Sequence, residues 1–278
     1  MRVVVTGSKG QLGSDVLELL LSKGIDVEGA DLPKLDITDK NACMDFLAQK
    51  KPDWVVHCAA YTAVDKAETE RELCRAVNST GTENIVLACK ECGAGMIYIS
   101  TDYVYNEPGE HEIEETAQPS PLNWYGQTKL CGENAVVKNL ERYFIVRTSW
   151  VFGENGGNFV KTMLKLGREK DEISVVCDQV GSPTYTKDLA KTIFEMLNSD
   201  RFGIYHATNS GFCSWYEFAC EIFKLSGISV KAIPIPSSEY PAPATRPMNS
   251  RLSKKKLLEN GFSELPHWQD ALKRFLNH

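Results

Sequence analysis

The first 150 residues alternate short apolar runs with longer segments in which apolar residues recur at helical spacing. The apolar runs predict strands at 2–6, 26–30, 54–58, 96–100 and 144–148. The segments between them predict helices at 11–23, at 39–50 with Thr38 as N-cap, at about 72–92, and around Tyr125. Strands that alternate with helices indicate right-handed crossovers, so we expect an α/β fold with a Rossmann-type doubly wound parallel sheet.

The pattern loosens after residue 150. It predicts helices near 157–168, 186–198, 214–226 and 267–277, and short strands near 173–177, 203–207 and 230–233. The proline-rich segment 234–247 is expected to form an irregular loop. We therefore divide the chain into a dinucleotide-binding Rossmann domain, 1–150, and a smaller α/β region, 151–278, that is mainly substrate-binding and interleaved with the Rossmann sheet. This region should pack over the carboxyl edge of the sheet, where doubly wound folds bind ligands.

Composition and charge exclude several classes of protein. Apolar residues make up 42% of the 278 residues and charged residues 24%, the balance of a soluble globular protein. The net charge of −6 argues against non-specific nucleic-acid binding, and no apolar run approaches the roughly 18 residues that span a membrane. Met1 and Arg2 run directly into the first predicted strand, so we expect no signal peptide and a cytoplasmic protein.

Cysteine and histidine positions give no sign of metal, disulfide or hydrolase chemistry. The nine cysteines are scattered and odd in number, which indicates reduced thiols. Cys89 and Cys92 have CxxC spacing, but no second pair or histidine cluster accompanies them. The chain has no GxSxG elbow and no HExxH helix. We interpret His57, in a strand, and His206 as structural residues.

A glycine-rich turn between the first strand and the first helix predicts a dinucleotide site. Its sequence is Gly7-Ser-Lys-Gly10-Gln11-Leu12-Gly13, a GxxGxxG variant of the usual GxGxxG spacing. Gly7 permits the tight turn, Gly10 lets the backbone approach phosphate, and Gly13 allows close packing of helix on sheet. The helix N-terminus then faces the pyrophosphate.

Two residues near this turn point to different cofactors. Asp31 ends the second strand, 18 residues after Gly13, where an acid binds the adenosine ribose hydroxyls and favours NADH. Lys9, within the turn, would instead meet the 2′-phosphate of NADPH. The residues alone leave NADH and NADPH open.

Two further segments complete the expected cofactor site. Asp36 and Ile37 either frame the adenine or form a helix-capping region. Ala59, Ala60 and Tyr61 end the third strand, where small side chains would let the cofactor's ribose and phosphate lie against the backbone. Tight packing is the alternative explanation for these small residues.

The segment Tyr125-Gly-Gln-Thr-Lys129 predicts the chemistry. A tyrosine and a lysine at i and i+4 share one helix face, and a nearby cation lowers a phenol's pKa toward the range useful for proton transfer. Thr101, 24 residues earlier at the end of the fourth strand, can donate a hydrogen bond to a substrate carbonyl. Tyr125 would then give the proton, while Lys129 holds the nicotinamide ribose. Together with the glycine turn, these residues predict a nicotinamide-dependent active site.

At this point the chain resembles the extended short-chain dehydrogenase/reductases and, within them, the dTDP-4-dehydrorhamnose reductase family. The resemblance covers nearly the whole chain. Its more general motifs are VVVTGSKGQLG at 3–13, AAYTAVDKAE at 59–68 and ISTDYVY at 99–105. RTSWVFG at 147–153 and NFV at 158–160 extend it, and DQVGSPTY at 178–185 and RPMNSRL at 246–252 are more specific to these reductases.

The resemblance implies an NADH- or NADPH-dependent reduction of a nucleotide sugar. The C4 ketone of dTDP-6-deoxy-L-lyxo-4-hexulose would be reduced to dTDP-L-rhamnose. Thr101, Tyr125 and Lys129 would be catalytic, and the sugar-nucleotide pocket would include Val64, Asp102 and Trp150. Trp150 would either stack on a ring or belong to the core. Arg246 and Arg251 either grip the diphosphate, since guanidinium suits bidentate phosphate contacts, or pair with surface acids.

One property of the family has no match here. Some members dimerise through magnesium held by glutamates, whereas Ser14-Asp15 and Lys187-Asp188 offer only scattered acids. We therefore predict no metal, and a monomer or a homodimer.

Two other kinds of protein share the fold. Dehydratase relatives carry Thr-Asp-Glu at the active strand, where the glutamate abstracts a proton; the third residue here is Tyr103. An epimerase stays open on sequence alone. A non-catalytic regulatory protein like the beta subunit of methionine adenosyltransferase also resembles this family, but the complete set of Thr101, Tyr125 and Lys129 favours catalysis.

Overall fold

The computed structural model describes residues 1–277. The strands in chain order are β1 (Arg2–Thr6), β2 (Asp26–Ala30), β3 (Trp54–His57), β4 (Gly95–Thr101), β5 (Tyr143–Thr148), β6 (Val151–Phe152), β7 (Glu172–Val176), β8 (Val180–Gly181), β9 (Thr184–Tyr185), β10 (Gly203–His206), β11 (Cys213–Ser214), β12 (Lys231–Ile235) and β13 (Asn249–Ser250). The main sheet has six parallel strands in the order β10-β5-β4-β3-β1-β2.

Helices connect the strands of this sheet and cover both of its faces. The α-helices of the described chain, in order, are α1 (Gln11–Ser22), α2 (Lys40–Lys50), α3 (Val64–Ala67), α4 (Arg71–Arg75), α5 (Thr82–Cys92), α6 (Trp124–Asn139), α7 (Phe159–Glu169), α8 (Thr186–Leu197), α9 (Trp215–Leu225), α10 (Lys255–Glu259) and α11 (Trp268–Leu276). Residues of α1 and α8 form one apolar core with the sheet, and residues of α2, α5 and α6 form the other. The predicted α/β class with a doubly wound parallel sheet is confirmed.

Burial explains why the sheet strands are apolar runs. Val3, Val4 and Val5 are fully buried because helices cover both faces of β1. β1 and β2 have the predicted bounds, and the other predicted strands of the main sheet differ by one residue at one or both ends. Gly24, with φ +70°, ends the first helix in the left-handed conformation that a helix C-terminus favours.

The structure corrects two local predictions. Thr38 does not cap α2: Asp39 does, accepting a hydrogen bond from the amide of Ala42 at 3.0 Å, while the Thr38 hydroxyl donates to Asp36. The helix expected at 72–92 is interrupted by a π-helical segment, Ala76–Gly81, between α4 and α5. Asn78 in this segment hydrogen-bonds both the backbone amide and the carbonyl of Tyr61, so the wider turn serves a tertiary contact.

Residues after 150 form smaller layers and also enter the main sheet. β10 is its edge strand beside β5. Small sheets β11-β8-β13, β12-β7 and β6-β9 pack with α7, α9 and α11 around a separate apolar core. Ser250, in β13, donates a 2.7 Å hydrogen bond to Asp102, directly after β4, so this region reaches the carboxyl edge of the main sheet. The division at residue 150 stays a prediction.

A buried ion pair joins α6 to the sheet. Arg147 in β5 donates from Nε and Nη2 to the two carboxylate oxygens of Glu133 in α6, at 2.9 and 2.6 Å. Each side chain is 3% exposed. Ser100 in β4 donates to Glu133 at 2.5 Å, and Arg147 also donates to the hydroxyl of Tyr105, which hydrogen-bonds His206. The network joins α6, β4, β5 and β10.

Replacing Glu133 with glutamine should destabilise the protein by about 3–5 kcal/mol, because the guanidinium of Arg147 would stay buried without a counter-charge. Urea unfolding measures the change. The control is Glu259→Gln, which removes an exposed pair with Lys255 and should cost less than about 1 kcal/mol. Equal effects of the two substitutions would contradict this interpretation of the buried pair.

Candidate active site

A cleft of about 670 Å³ lies at the carboxyl ends of the sheet strands and collects most of the predicted site residues. Those that line it are Gly7, Gly10, Gln11, Leu12, Gly13, Asp31, Asp36, Ile37, Ala59, Ala60, Val64, Thr101, Asp102, Tyr125, Lys129 and Trp150. Tyr61, Arg246 and Arg251 are not among its lining residues. Apart from Tyr61, the sequence-predicted cofactor residues share one cavity with the predicted catalytic residues.

The glycine turn is built for close backbone contact. Gly7 has φ +63°, and a Cβ there would lie 2.6 Å from the amide nitrogen of Ala59. A Cβ at Gly13 would lie 2.2 Å from the carbonyl oxygen of Gly7. The N-cap of α1, Gly10, offers no side chain, so the first amides of the helix face the cleft without a side-chain cap. This cradle fits a dinucleotide pyrophosphate.

Asp31, which lines the cleft, and Lys9 both bond to the backbone around the glycine turn. The carboxylate of Asp31 accepts hydrogen bonds from the amides of Lys9, at 3.1 Å, and Leu32, at 2.8 Å. The ammonium of Lys9 donates to the carbonyl of Leu32 at 2.7 Å. Both the acid expected for NADH and the cation expected for NADPH are therefore present here.

Three more predicted cofactor residues have defined local partners. Asp36 accepts hydrogen bonds from the hydroxyl and amide of Thr38, which lower the pKa of its carboxyl. The side chain of Ile37 lies against Gly81, where a Cβ would approach within 2.9 Å. Tyr61 turns its hydroxyl to Glu70, at 2.7 Å, instead of to the cleft. An adenine contact by Asp36 and Ile37 stays a prediction.

Thr101 is the last residue of β4 and Asp102 follows it; both line the cleft. The hydroxyl of Thr101 donates to one oxygen of Asp102 at 3.0 Å and accepts from the amide of Tyr103. The other oxygen of Asp102 accepts from Ser250. Burial raises the pKa of Asp102 to about 6, against the opposing effect of these hydroxyl donors.

Local packing sets the position of Tyr125 at the start of α6. Asn123 caps the helix by accepting from the amide of Gly126 at 2.8 Å. A Cβ at Gly126 would lie 2.2 Å from the carbonyl oxygen of Tyr103, so only glycine lets α6 approach the turn after β4 this closely. The ring of Tyr103 meets that of Tyr125 edge to face, with centroids 5.5 Å apart.

Lys129 is almost fully buried and has two contacts in the site. Its ammonium donates to the carbonyl of Ile99 at 2.7 Å and lies 4.1 Å from the centre of the Tyr98 ring. Burial lowers the pKa of Lys129 to about 7, although Glu133 acts in the opposite direction.

The expectation that Lys129 lowers the pKa of Tyr125 is wrong for this structure. Burial raises the pKa of Tyr125 above its usual value, and Thr101 only partly opposes that rise. The ammonium of Lys129 bonds to the Ile99 carbonyl, and desolvation favours its neutral form. A protonated phenol results, which is the state required of a general acid that gives a proton to a carbonyl oxygen.

Trp150 lines the cleft in an unusual conformation. Its φ of +49° lies in the left-handed region, which costs a bulky residue about 1–3 kcal/mol. The indole stacks on Trp215 with centroids 3.7 Å apart and planes inclined by 13°. One face of the indole is therefore covered, and stacking of a ligand ring on that face is excluded.

The structure does not bring the two predicted diphosphate arginines into the cleft. Arg246 pairs with Asp65 at 2.7 Å and also donates to the carbonyl of Ala244. Arg251 donates to Asn249 and lines a separate, open groove of about 590 Å³ that also includes Tyr216.

Several residues that shape the site were missed from the sequence. Glu133 could have been found, because it continues the face of Tyr125 and Lys129 by one more turn. Ser250 and Trp215 reach the site only through tertiary contacts and carry no local signal.

Within residues 1–277, no group of three or more His, Cys, Asp or Glu side chains is arranged to hold a metal ion. The nine cysteines are free, and none of the described helices is both long and apolar enough to cross a membrane.

A glycine-rich βα turn, a doubly wound parallel sheet, and threonine, tyrosine and lysine side chains at its carboxyl edge define a short-chain dehydrogenase/reductase of the extended type. Comparison with known proteins narrows this class. Residues 1–278 match the family described as RmlD substrate binding domain, and the chain belongs to that family.

Among curated relatives, the chain is 39% identical to the dTDP-4-dehydrorhamnose reductase of Escherichia coli K12, covering 100% of this chain and 97% of the relative. It is also 39% identical to the spore coat polysaccharide biosynthesis protein SpsK of Bacillus subtilis, covering 99% and 96%.

Two solved structures are similar over almost their whole length. A dTDP-4-dehydrorhamnose reductase from Clostridium acetobutylicum has a TM-score of 0.97 and 42% identity, covering 100% of this chain and 99% of that one. The Bacillus anthracis enzyme of the same name, solved in complex with NADP, has a TM-score of 0.96 and 42% identity, covering 99% and 98%.

Replacing Lys129 with methionine should raise stability at neutral and lower pH. Below pH ~7 the lysine is charged in both states, so folding bears the full cost of burying the ammonium. Between pH ~7 and ~10.4 only the unfolded state stays charged, and the wild type gains stability as pH rises. The two proteins should therefore differ by about 2 kcal/mol or more at pH ~6 and converge near pH ~10.

Urea unfolding across this pH range measures the difference. Lys138→Met, on the exposed face of the same helix, is the control and should follow the wild-type curve. A constant difference between Lys129→Met and wild type from pH ~6 to ~10 would show that the burial of this ammonium has no such effect.

Proposed function

We propose that this protein reduces the C4 ketone of dTDP-6-deoxy-L-lyxo-4-hexulose to dTDP-L-rhamnose with NADH or NADPH. The observation that carries the proposal is the meeting of Thr101, Tyr125 and Lys129 with the glycine cradle in one cleft. The full-length likeness to relatives named dTDP-4-dehydrorhamnose reductase supports the choice of sugar.

The proton-transfer part of the reaction follows from the residues at the end of β4 and the start of α6. On binding, the Thr101 hydroxyl would turn its proton from Asp102 to the ketone oxygen and keep that oxygen beside the phenol of Tyr125. Tyr125, protonated because it is buried, gives its proton to that oxygen as the carbon is reduced. A bound nicotinamide cofactor supplies the hydride. Lys129, held at the Ile99 carbonyl, would bind the nicotinamide ribose.

The remaining cleft residues would hold the sugar and the cofactor. Asp102 is fixed by Ser250 and can accept from a sugar hydroxyl, while Val64 and Trp150 provide apolar walls. The small side chains of Ala59 and Ala60 leave room for cofactor ribose and phosphate against the backbone.

Cofactor preference depends on Asp31 and Lys9. A carboxylate at the ribose favours NADH, and a lysine near the 2′ position favours NADPH. The Bacillus anthracis relative was solved with NADP, which supports NADPH for this chain; we propose that both cofactors bind.

Arg246 is our proposed ligand for the diphosphate, with Arg251 contributing from the neighbouring groove. When the substrate binds, the guanidinium of Arg246 would exchange the carboxylate of Asp65 for phosphate oxygens, which are also negatively charged and can accept two hydrogen bonds.

We also propose that the protein works in the cytoplasm, where free thiols persist. It would act there as a monomer or homodimer and, given its net charge of −6, bind no nucleic acid.

The alternatives have less support. Dehydration needs a carboxylate base where this chain has Tyr103. Epimerisation requires the substrate to rotate over a retained cofactor, and solved epimerases below 25% identity support the fold alone. A regulatory role without turnover would not require the complete set of Thr101, Tyr125 and Lys129.

The test is absorbance at the nicotinamide band, ~340 nm, after mixing the protein with NADH or NADPH and enzymatically generated dTDP-6-deoxy-L-lyxo-4-hexulose. Stoichiometric loss of reduced cofactor together with formation of dTDP-L-rhamnose is expected, and the two rates give the cofactor preference. A folded, cofactor-binding protein that leaves the absorbance unchanged would overturn the proposal and favour another nucleotide sugar or the regulatory role.

Tyr125→Phe should lower kcat at least about 100-fold, because the proton donor is lost while the ring remains. Cofactor affinity, measured by fluorescence titration, should stay nearly the same. The matched control is Tyr143→Phe. Tyr143 begins β5, at the end of the strand away from the cleft, so this variant should keep full activity. Unchanged turnover in Tyr125→Phe would remove Tyr125 from the role of acid.

A further inference from the structure

Trp150 reaches the cleft with its indole held by two parts of the chain that do not line the cleft themselves. Trp215, the first residue of α9, stacks on one face. Gly181 lies so close that a Cβ there would come within 3.0 Å of the Cε2 atom of Trp150. Neither Trp215 nor Gly181 is among the residues that line the cleft. Trp215 therefore acts on a ligand in the cleft through Trp150, whereas Gly181 also lies against Ser250, which donates to Asp102.

The conformation of Trp150 needs such support. A tryptophan with positive φ keeps that backbone only when its surroundings specify it. Its carbonyl accepts from the amide of Thr184 at 3.1 Å, and the neighbouring Ser149 donates to the carbonyl of Ser182 at 2.7 Å. These bonds fix the backbone, whereas the stacking on Trp215 fixes the ring.

Trp215 is itself placed on a rigid support. Ser214 caps α9 in a reciprocal capping box with Glu217, so the helix begins at a defined residue. The ring of Phe159 packs on Trp215 with centroids 4.6 Å apart. The start of α9 therefore determines where the indole of Trp150 stands.

We propose that Trp215 is a positioning residue for recognition of the nucleotide sugar: by covering one face of Trp150, it fixes the apolar wall against which the hexulose ring lies. The inference rests on the proposed function for its ligand. Gly181 complements Trp215, because a Cβ there would press on the indole of Trp150 and on Ser250 at about 3.0 Å. A shift of this wall by about 1 Å is enough to weaken a productive fit.

The decisive comparison is Trp215→Leu against Trp215→Phe. Both substitutions keep an apolar side chain, but only phenylalanine keeps a flat ring that can stack on Trp150. We expect Trp215→Leu to raise KM for the nucleotide sugar about tenfold with kcat changed less than about threefold. The dissociation constant of dTDP-L-rhamnose, measured by calorimetry, should rise in parallel, and cofactor affinity should not change. Trp215→Phe should restore most of the loss.

A spectroscopic measurement reports the stack without any ligand. Two indoles this close couple their transitions and give a signed pair of bands in circular dichroism. Trp215→Leu should abolish the pair, and Gly181→Ala should perturb it by displacing the indole of Trp150. Trp54→Phe is the control, because this buried indole packs on Phe144 and Phe202 in the core of the main sheet; it should leave the pair and KM unchanged.

The outcomes separate this inference from the proposed function. Wild-type protein that binds dTDP-L-rhamnose but does not reduce the hexulose would overturn the reductase proposal and leave the affinity comparison valid. Equal sugar affinity in wild type and Trp215→Leu, with the coupled bands lost in the variant, would overturn the positioning role. Wild-type protein that binds no nucleotide sugar would overturn both.

Discussion

The packing of α6, the helix that carries Tyr125 and Lys129, on the sheet depends on the buried ion pair of Arg147 and Glu133. Neither charge is tolerated alone at 3% exposure, so α6 can pack on the sheet only in the register that joins them. Tyr125 and Lys129 lie two turns and one turn before Glu133 on the same face of α6. The register that satisfies the ion pair therefore also places the phenol and the ammonium at the carboxyl end of the sheet. Ser100 ties the same carboxylate to the strand that ends in the active site.

Desolvation by burial determines the protonation states of the side chains in this site. Burial keeps the phenol of Tyr125 protonated, lowers the pKa of Lys129 to about 7 and raises that of Asp102 to about 6. Each group is thereby moved toward its uncharged form, the expected direction where desolvation outweighs nearby charges. A protonated phenol suits the reduction of a ketone, which needs a proton for the oxygen and a hydride for the carbon. The cost falls on the free protein, which must bury an ammonium whose principal contact is one backbone carbonyl.

Periodic and local features were predictable from the sequence, and features made by distant contacts were not. β1 was predicted to the residue because it is apolar and covered on both faces. The π-helical segment at Ala76–Gly81 was missed, because one wider turn hardly changes the apolar spacing and its cause is a contact between Asn78 and Tyr61. The meeting of Tyr125 with Lys129 follows from i and i+4 spacing. The direction of the Tyr125 pKa does not, since spacing shows a neighbouring cation but neither burial nor the carbonyl that binds it.

The C-terminal half adds contacts that hold side chains of the Rossmann half in and beside the cleft. Ser250 orients Asp102, Asp65 holds Arg246, and Trp215 covers Trp150. In each case one partner comes from beyond residue 200 and the other from the first 150 residues, next to the cleft. The glycine turn and the Tyr125–Lys129 pair carry chemistry that many sugar-nucleotide enzymes share. We infer that selection of a particular sugar comes from how these later segments hold the carboxylate of Asp102 and the indole of Trp150 in the cleft, whereas Arg246 lies outside its lining.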